Sequence, residues 1–238
     1  MSLSQIITDS IKYPFSDLKK FAIVGVIALL AGIYNVFPTL GVDNGAVLLI
    51  GIVISLIFAL ILSGFGLSVI KKAVGHADEI PDIDPVNNFI DGIKVLVISI
   101  VYFLIPFIIT LILAMITGAI GAGLDNVVAA FGVIGVLALI VFIIFAIFEI
   151  IALARFAKAD EFGAAFNFGE IFEDIKNIGI LKILALIIIA IIIIIIASII
   201  ASVFALIPFV GIIIAEILVG AFVVLFYNRA IGLLYAEL

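Results

Sequence analysis

The chain has 238 residues, of which 67% are hydrophobic and only 12% are charged, and its formal net charge at neutral pH is −6. A mean hydropathy of +1.59 is typical of integral membrane proteins, and the negative charge argues against a nucleic-acid partner, which requires a concentrated basic face. The lack of cysteine excludes disulfides and thiolate metal sites, and the single histidine, His76, excludes a multi-histidine metal centre, so we expect no cofactor.

Six apolar segments are long enough to cross a bilayer as helices, which requires about 20 residues each. They are residues 21–38, 46–70, 95–117, 129–154, 183–206 and 209–230. The residues before the first segment include Asp9 and Asp17, which is unlike a cleaved signal peptide, so we expect that segment to be retained as a span. Only Ile207 and Pro208 separate the last two segments, which predicts a tight turn.

The basic residues are distributed unequally between the connections. All eleven lysines and arginines fall before span 1, between spans 2 and 3, between spans 4 and 5, or near the end of span 6, and the other three connections contain none. By the positive-inside rule, this split predicts a multipass protein of the cell membrane with both termini in the cytoplasm. The expected fold class is therefore an all-α integral membrane protein, a single membrane domain over residues 1–238 whose six spans form three helical hairpins.

A short phrase recurs before the odd-numbered spans. It reads FSDLK from residue 15, FIDGIK from residue 89 and FEDIK from residue 172, a spacing that predicts approximate repeats over residues 1–76, 77–158 and 159–238. The alternative is chance recurrence of short strings in a biased sequence. The residues that define the phrase are Phe15, Asp17, Lys19, Phe89, Asp91, Lys94, Phe172, Asp174 and Lys176.

Each phrase is predicted to lie on an amphipathic helix at the cytoplasmic membrane interface. In the third copy, Phe168, Ile171, Phe172 and Ile175 have the i, i+3, i+4, i+7 spacing of one apolar stripe, and the acids, Asp174 among them, are expected on the opposite, water-facing side. The same pattern places Ile7, Ile11, Phe15 and Leu18 before span 1, broken by Pro14, and Phe89, Ile93 and Leu96 before span 3. Anchoring of the hairpins is the plainest role for these helices, and partner docking or lipid binding are the alternatives.

Two acids fall inside predicted spans, where ionisable groups are costly and often functional. Glu149 in span 4 is near the cytoplasmic end and could pair with Arg155 or Arg229 as a structural carboxylate. Glu216 in span 6 lies about 12 Å from the outer end, with no basic residue predicted at its depth. It is therefore either protonated, or it faces a polar cavity or a subunit contact. With Asn228 and Arg229, these acids are the candidate intramembrane polar residues.

Other polar or small-residue motifs have plainer interpretations. The segment around His76, GHADEIPDIDP, contains several acids but lacks the glycine and terminal glutamate of a calcium-binding EF-hand loop, so it is interpreted as a solvated connection. The small residues around Gly64 and Gly66 are interpreted as a helix-packing face.

Several phrases together resemble one known family. They are DSIKYPFSDLKKF near the N-terminus, NNFIDGIKVLVISIVYFLIPFII, FNFGEIFEDIKNIG and the closing IPFVG and FYNRAIGLLY. They look like the archaeal membrane family called domain of unknown function 4013, which is common in methanogens, and the hairpin pattern is more distantly similar to membrane domains attached to some glycerophosphodiester phosphodiesterases. This resemblance implies a location in the membrane, and it implies no catalytic or binding residues.

The expected function is that of a non-enzymatic membrane protein, because neither a phosphate-binding loop, a paired catalytic carboxylate nor a serine–histidine set can be recognised. We expect a membrane-organising or scaffold role, with membrane lipids and further copies of the chain as partners. A small transporter or channel that uses Glu216 is the alternative, and a lipid-binding module is a weaker one.

Overall fold

The structure is a computed structural model that describes residues 1–116, 124–204, 206–207 and 210–238. Within these ranges the chain forms nine α-helices and no strand. The helices are α1 (Leu3–Lys12), α2 (Leu18–Ala31), α3 (Ile33–Thr39), α4 (Gly45–Val74), α5 (Pro85–Ile116), α6 (Leu124–Ala159), α7 (Phe168–Ile178), α8 (Ile180–Phe204) and α9 (Val210–Tyr235). Two short 3₁₀ helices, Tyr13–Phe15 and Phe162–Phe166, follow α1 and α6.

Five of these helices are long and apolar enough to cross a membrane, namely α4, α5, α6, α8 and α9. They correspond to the second to sixth predicted spans, so the multipass architecture is confirmed. Most extend beyond the predicted bounds at the end where the basic residues lie. The turn predicted at Pro208 lies outside the described residues.

The first predicted span, residues 21–38, is not one continuous helix. It is divided at Gly32 into α2, with 14 residues, and α3, with seven. The amide of Tyr34 donates a hydrogen bond to the Ser55 hydroxyl of α4 at 3.1 Å, so a side chain of a neighbouring helix satisfies an amide at the break. Glycine favours such an interruption because it stabilises a helix less than every other residue except proline.

Glycines allow close contact between helices. A Cβ atom on Gly92 of α5 would lie 1.9 Å from the carbonyl oxygen of Leu60 in α4, and one on Gly64 would lie 1.9 Å from the carbonyl oxygen of Asn88. The predicted small-residue packing face around Gly64 is therefore used against α5. In the same way, a Cβ on Gly25 of α2 would lie 2.6 Å from the carbonyl oxygen of Ile217 in α9.

The buried core lies toward the end of the helices that carries the charged residues. Buried side chains near that end include Ile70 and Ala73 of α4, Ile151 of α6, and Leu225 and Leu234 of α9. In the most apolar stretch of each of the five long helices, only 11% to 22% of residues are buried. The remaining aliphatic surface faces outward, which suits contact with lipid and would be unfavourable in water.

Candidate functional site: a charged cap and an intramembrane carboxyl

The charged residues at one end of the helices form a structure that we name the charged cap. It comprises α1, the connection over residues 75–84, the segment from residue 160 to the end of α7, and the last turns of α4, α6 and α9. Most of its basic side chains are bound to acids, carbonyl groups or aromatic rings of the same chain. The cap therefore joins the helices at the end where their charged residues lie.

Arg229 of α9 is the most deeply buried ion of the cap, with 2% of its side chain exposed. Its Nε donates to Asp9 of α1 at 2.8 Å, and its Nη2 donates to Asp78 at 2.8 Å. Its Nη1 donates to the carbonyl oxygen of Ala77, and the Tyr13 ring lies 4.7 Å from the guanidinium carbon. The arginine that sequence analysis placed among the intramembrane polar residues thus binds α1 and the α4–α5 connection.

Further contacts hold the same connection against the N-terminal segment. The Tyr13 hydroxyl donates to the carbonyl oxygen of Glu79 at 3.1 Å, and burial raises the pKa of Tyr13 to about 12, so the phenol stays protonated and can donate. Lys20 donates to the carbonyl oxygen of Ile80 at 2.6 Å and pairs with Asp82 at 2.8 Å. The connection predicted to be a solvated loop is therefore held by specific contacts on one side, although its carboxylates remain exposed.

Three exposed carboxyls of the charged cap have pKa values below their ordinary range because lysines donate to them. Hydrogen bonds from Lys72 to Glu79, from Lys20 to Asp82 and from Lys71 to Asp160 favour the ionised form in each case. His76, in the same connection, adopts a positive φ of 55°. Among the described residues no group of three potential metal ligands is close enough to hold an ion.

Arg155 of α6 forms the second ionic centre of the cap. It pairs with Glu170 and, at 2.7 Å, with Asp174 of α7. The hydroxyl of Tyr235 in α9 donates to the same Asp174 oxygen at 2.7 Å. The side chain of Asp174 is only 14% exposed, so it does not lie on a water-facing side of α7 as expected. The physical reason is that the ends of α6 and α9 supply two donors that replace water.

The two chain termini meet in a third ionic contact. The N-terminal amine of Met1 pairs with Glu237 at 3.0 Å, and Lys182 at the start of α8 pairs with the same carboxylate at 2.5 Å. Burial opposes ionisation of Glu237, but the two ammonium groups outweigh it and hold the pKa of this carboxyl below its usual range. The beginning and the end of the chain therefore lie side by side.

The first copy of the recurring phrase contains a helix cap. Asp17 accepts a hydrogen bond from the amide of Lys20 at 3.0 Å and so caps α2. The ring of Phe15 is exposed and lies 5.6 Å from that of Phe21. None of the four residues of the predicted stripe is buried, and the buried residue is instead their neighbour Ile6. The stripe residues are Ile7, Ile11, Phe15 and Leu18. Lys19 is exposed.

The other two copies lie within helices. Phe89, Asp91 and Lys94 belong to the first turns of α5 and not to a separate interface helix, and Lys94 pairs with Asp91 at 2.6 Å. In α7, Ile171 and Ile175 of the predicted stripe are buried, whereas Phe168 and Phe172 are exposed. Lys176 pairs with Glu173 at 3.4 Å and lies over the Phe172 ring. The three copies have different local structures, and the threefold repeat stays a prediction.

Glu149 is half-buried in α6 and accepts a hydrogen bond from the Ser99 hydroxyl of α5 at 2.6 Å. It contacts neither Arg155 nor Arg229, the partners that sequence analysis suggested, because each arginine is held by acids of the cap. The hydrogen bond makes Glu149 a link between α5 and α6.

Glu216 of α9 lies beside the interruption of the first span. A Cβ atom on Gly32 would be 3.3 Å from its Oε2 atom, and no hydrogen-bond donor reaches this carboxyl in the part of the chain that the structure describes. The structure does not bring it together with Asn228, which lies about 18 Å further along α9. The amide of Asn228 donates to the carbonyl oxygen of Val224 at 2.8 Å and packs against Gly66.

The acidic partners of both arginines were not predicted from the sequence. Asp9 precedes Arg229 by 220 positions, and Asp174 follows Arg155 by 19. One signal was available in the sequence: both arginines end predicted even-numbered spans, and Asp9 and Asp174 lie in segments predicted to be amphipathic helices. That signal indicates a common depth, but it does not indicate which acid meets which arginine.

A protein-family model matches more than half of the chain. No curated protein and no solved structure matches the chain. The model of the family described as "Protein of unknown function (DUF4013)" matches residues 47–206, which is well over half of the chain and includes α4, α5, α6 and α8. The chain therefore belongs to this DUF4013 family.

Proposed function

We propose that the protein crosses the cell membrane six times, with both termini and the charged cap in the cytoplasm, and that it organises the membrane without catalysing a reaction. The contact between the amine of Met1 and Glu237 is the observation that supports the crossing number, because two ends that touch are expected on the same side of the membrane. Two ends on one side require an even number of crossings. The five long helices alone would give an odd number.

Residues 18–39 supply the sixth crossing in this proposal. Together α2 and α3 contain 21 helical residues around Gly32, and a chain of that length rises about 30 Å, the thickness of the hydrocarbon core. The interrupted backbone is compatible with a span because Ser55 satisfies the Tyr34 amide. The cytoplasmic side follows from the positive-inside rule, since the lysines and arginines lie at the cap.

The organising role is supported by how the polar groups are used. In the described residues, the buried arginine and its acids bind one another and so stabilise the fold, while the long helices present aliphatic surface over most of their length. Such surface can contact lipid or further copies of the chain, and self-association is part of the proposal. The resemblance to a methanogen family and the isoleucine-rich, acidic sequence support an archaeal origin.

The crossing number can be tested by labelling single cysteines, since the natural chain has none. The variants Ser4→Cys, Asp43→Cys and Leu238→Cys place thiols at the N-terminus, after α3 and at the C-terminus. In intact cells, a membrane-impermeant maleimide is expected to label only Asp43→Cys, and permeabilisation is expected to expose the other two. Labelling of Ser4→Cys and Asp43→Cys from the same side would refute a crossing by residues 18–39.

Self-association has its own test. The protein mass within the particle extracted in native membrane nanodiscs is expected to equal that of two or more copies of the 25.3 kDa chain. A particle with a single copy at every concentration would contradict the organising role while leaving the crossing number untouched.

A proton pathway through Glu216 is the second candidate function. This carboxyl lies beside a helix that is interrupted at Gly32, and none of the described residues donates a hydrogen bond to it. Interrupted helices with a nearby ionisable group occur where membrane proteins bind ions. In vesicles that contain a pH-sensitive dye, the Glu216→Gln variant is then expected to abolish proton flux. Glu149→Gln is the control, because an amide can still accept the Ser99 hydrogen bond. Vesicles with the natural chain that are as tight as empty ones would exclude this candidate.

A further inference from the structure

A groove of about 530 Å³ opens on the side of the molecule between α8, α9 and the N-terminal segment. One face of α8 lines it with Ile193, Ile196, Ile200 and Phe204, which are spaced as i, i+3, i+7 and i+11. Phe222 of α9 forms the opposite wall. The lining is almost entirely aliphatic and aromatic, so the groove would hold a flexible apolar chain and offers little to a polar solute.

The groove is bounded near the cap by the bend between α1 and α2. Ile11, Phe15 and Phe21 contribute to the lining, and the ring of Phe15 lies 6.1 Å from that of Phe222. The bend exists because Pro14 ends α1 and a short 3₁₀ helix follows. Apolar side chains of the N-terminal segment therefore line the groove and do not contact only the bilayer.

Two basic residues lie close to these lining residues in sequence: Lys12 directly follows Ile11, and Lys19 precedes Phe21 by two positions. Both are exposed, and neither has an acidic, carbonyl or aromatic partner in the part of the chain that the structure describes. The other nine lysines and arginines each contact an acid or a ring. The positive charge that the described contacts leave uncompensated thus lies in the N-terminal segment whose Ile11, Phe15 and Phe21 line the groove.

We propose that this groove binds an acyl chain of an anionic phospholipid, with its phosphate near Lys12 and Lys19. An apolar wall along α8 suits the hydrocarbon, and two free ammonium groups at the headgroup depth suit the phosphate. The site rests on the membrane location of the chain, and it depends neither on the crossing number nor on the organising role. Failure of the cysteine-labelling or mass experiments would leave it standing.

The test uses the lack of tryptophan in the natural chain. The variant Phe222→Trp places a fluorophore in the groove, and Phe107→Trp places one on the exposed surface of α5 as the matched control. Each full-length variant is reconstituted in phosphatidylcholine vesicles that contain a minor fraction of phosphatidylglycerol with brominated acyl chains, which quench tryptophan on contact. Circular dichroism and gel filtration establish that the variants are folded.

The expected result is stronger quenching of Phe222→Trp than of Phe107→Trp, and only when the brominated lipid is the anionic one. Adding Lys12→Gln and Lys19→Gln is expected to reduce this preference about fivefold for each lysine. The charge control is Lys176→Gln, which lies on α7 and is expected to leave the preference unchanged. The substitutions Ala197→Phe and Ala201→Phe fill the groove and are expected to abolish the excess quenching. Ala146→Phe, at an exposed position of α6, is the control and is expected to preserve it.

Three results would overturn the proposal. Equal quenching of the two tryptophan variants would mean that the groove is ordinary lipid-facing surface. If brominated phosphatidylcholine produced the same excess quenching as brominated phosphatidylglycerol, the role of the lysines would be refuted. Quenching of Phe222→Trp below the control would mean that a second copy of the chain, and not lipid, covers the groove.

Discussion

At the scale of single residues, Arg229 of α9 joins its helix to two other segments of the chain, α1 and the α4–α5 connection. Its guanidinium group binds Asp9, Asp78 and the carbonyl oxygen of Ala77, and it lies over the Tyr13 ring. A buried ion pair stabilises a protein little compared with an apolar pair, because removing both ions from water is costly. Removal of one partner is different, since the remaining ion and carbonyl lose their compensation.

Substitution Arg229→Met is therefore expected to lower the free energy of unfolding by about 3 kcal/mol, because Asp9 is left partly buried without its cation. The free energy is measured by circular dichroism in detergent micelles with increasing dodecyl sulfate. Lys176→Met is the matched control: both partners of the Lys176–Glu173 pair are more than half exposed, so the change is expected to stay within about 0.5 kcal/mol. Equal effects of the two substitutions would contradict the central role of Arg229.

At the scale of helices, the contact between α4 and α5 depends on two glycines. Gly64 and Gly92 bring the backbones so close that an added methyl group would meet a carbonyl oxygen at 1.9 Å. A backbone oxygen cannot rotate away as a side chain can, so the helices must separate to admit the methyl group. Separation would also weaken the hydrogen bond that the side-chain amide of Asn88, which is buried, donates to the Ser68 hydroxyl of α4 at 3.3 Å.

Substitution Gly92→Ala is expected to destabilise the protein by about 2 kcal/mol, since overpacking outweighs the gain of about 1 kcal/mol in helix propensity. Gly135→Ala is the control on α6, where an added Cβ meets no atom of the described residues within 4 Å, and it is expected to be neutral or stabilising. The same detergent unfolding measurement applies. A Gly92→Ala variant as stable as Gly135→Ala would refute the close approach of α4 and α5.

Predictability at this scale differed between helices for a physical reason. The five long helices were predicted because each consists of one apolar run, and hydropathy within a run is local information. The interruption at Gly32 was not predicted, because glycine also occurs inside uninterrupted membrane helices and the partner that satisfies the Tyr34 amide, Ser55, belongs to another helix. Likewise, Pro14 predicted the bend after α1, but which face of α1 is buried depends on α8 and α9.

At the scale of the whole molecule, the charged cap joins helices whose opposite halves are largely exposed. Its peripheral pairs are solvent-exposed and individually weak, and their carboxyls have lowered pKa values because lysines donate to them. A group whose pKa is lower in the folded state contributes stability above its ordinary pKa. That contribution is lost as the pH falls through the lowered value.

The unfolding free energy is therefore expected to be constant from about pH 7 to about pH 5 and to decrease below about pH 4, as Glu79, Asp82 and Asp160 become protonated. A variant that combines Lys20→Gln, Lys71→Gln and Lys72→Gln removes the cause of the lowered pKa values. Its decrease in acid is expected to be shallower. Parallel pH profiles for the variant and the natural chain would show that these pairs do not contribute.

The sequence by itself determined the class of the protein, five of its long helices and the end at which its charges lie, because hydropathy and charge are properties of individual segments. The tertiary structure decided which charges meet. Asp174, predicted to face water, binds Arg155 and Tyr235, and the Glu216 carboxyl, predicted only by depth, lies at the interruption beside Gly32. Such contacts depend on how helices distant in sequence pack, and no local pattern records that packing.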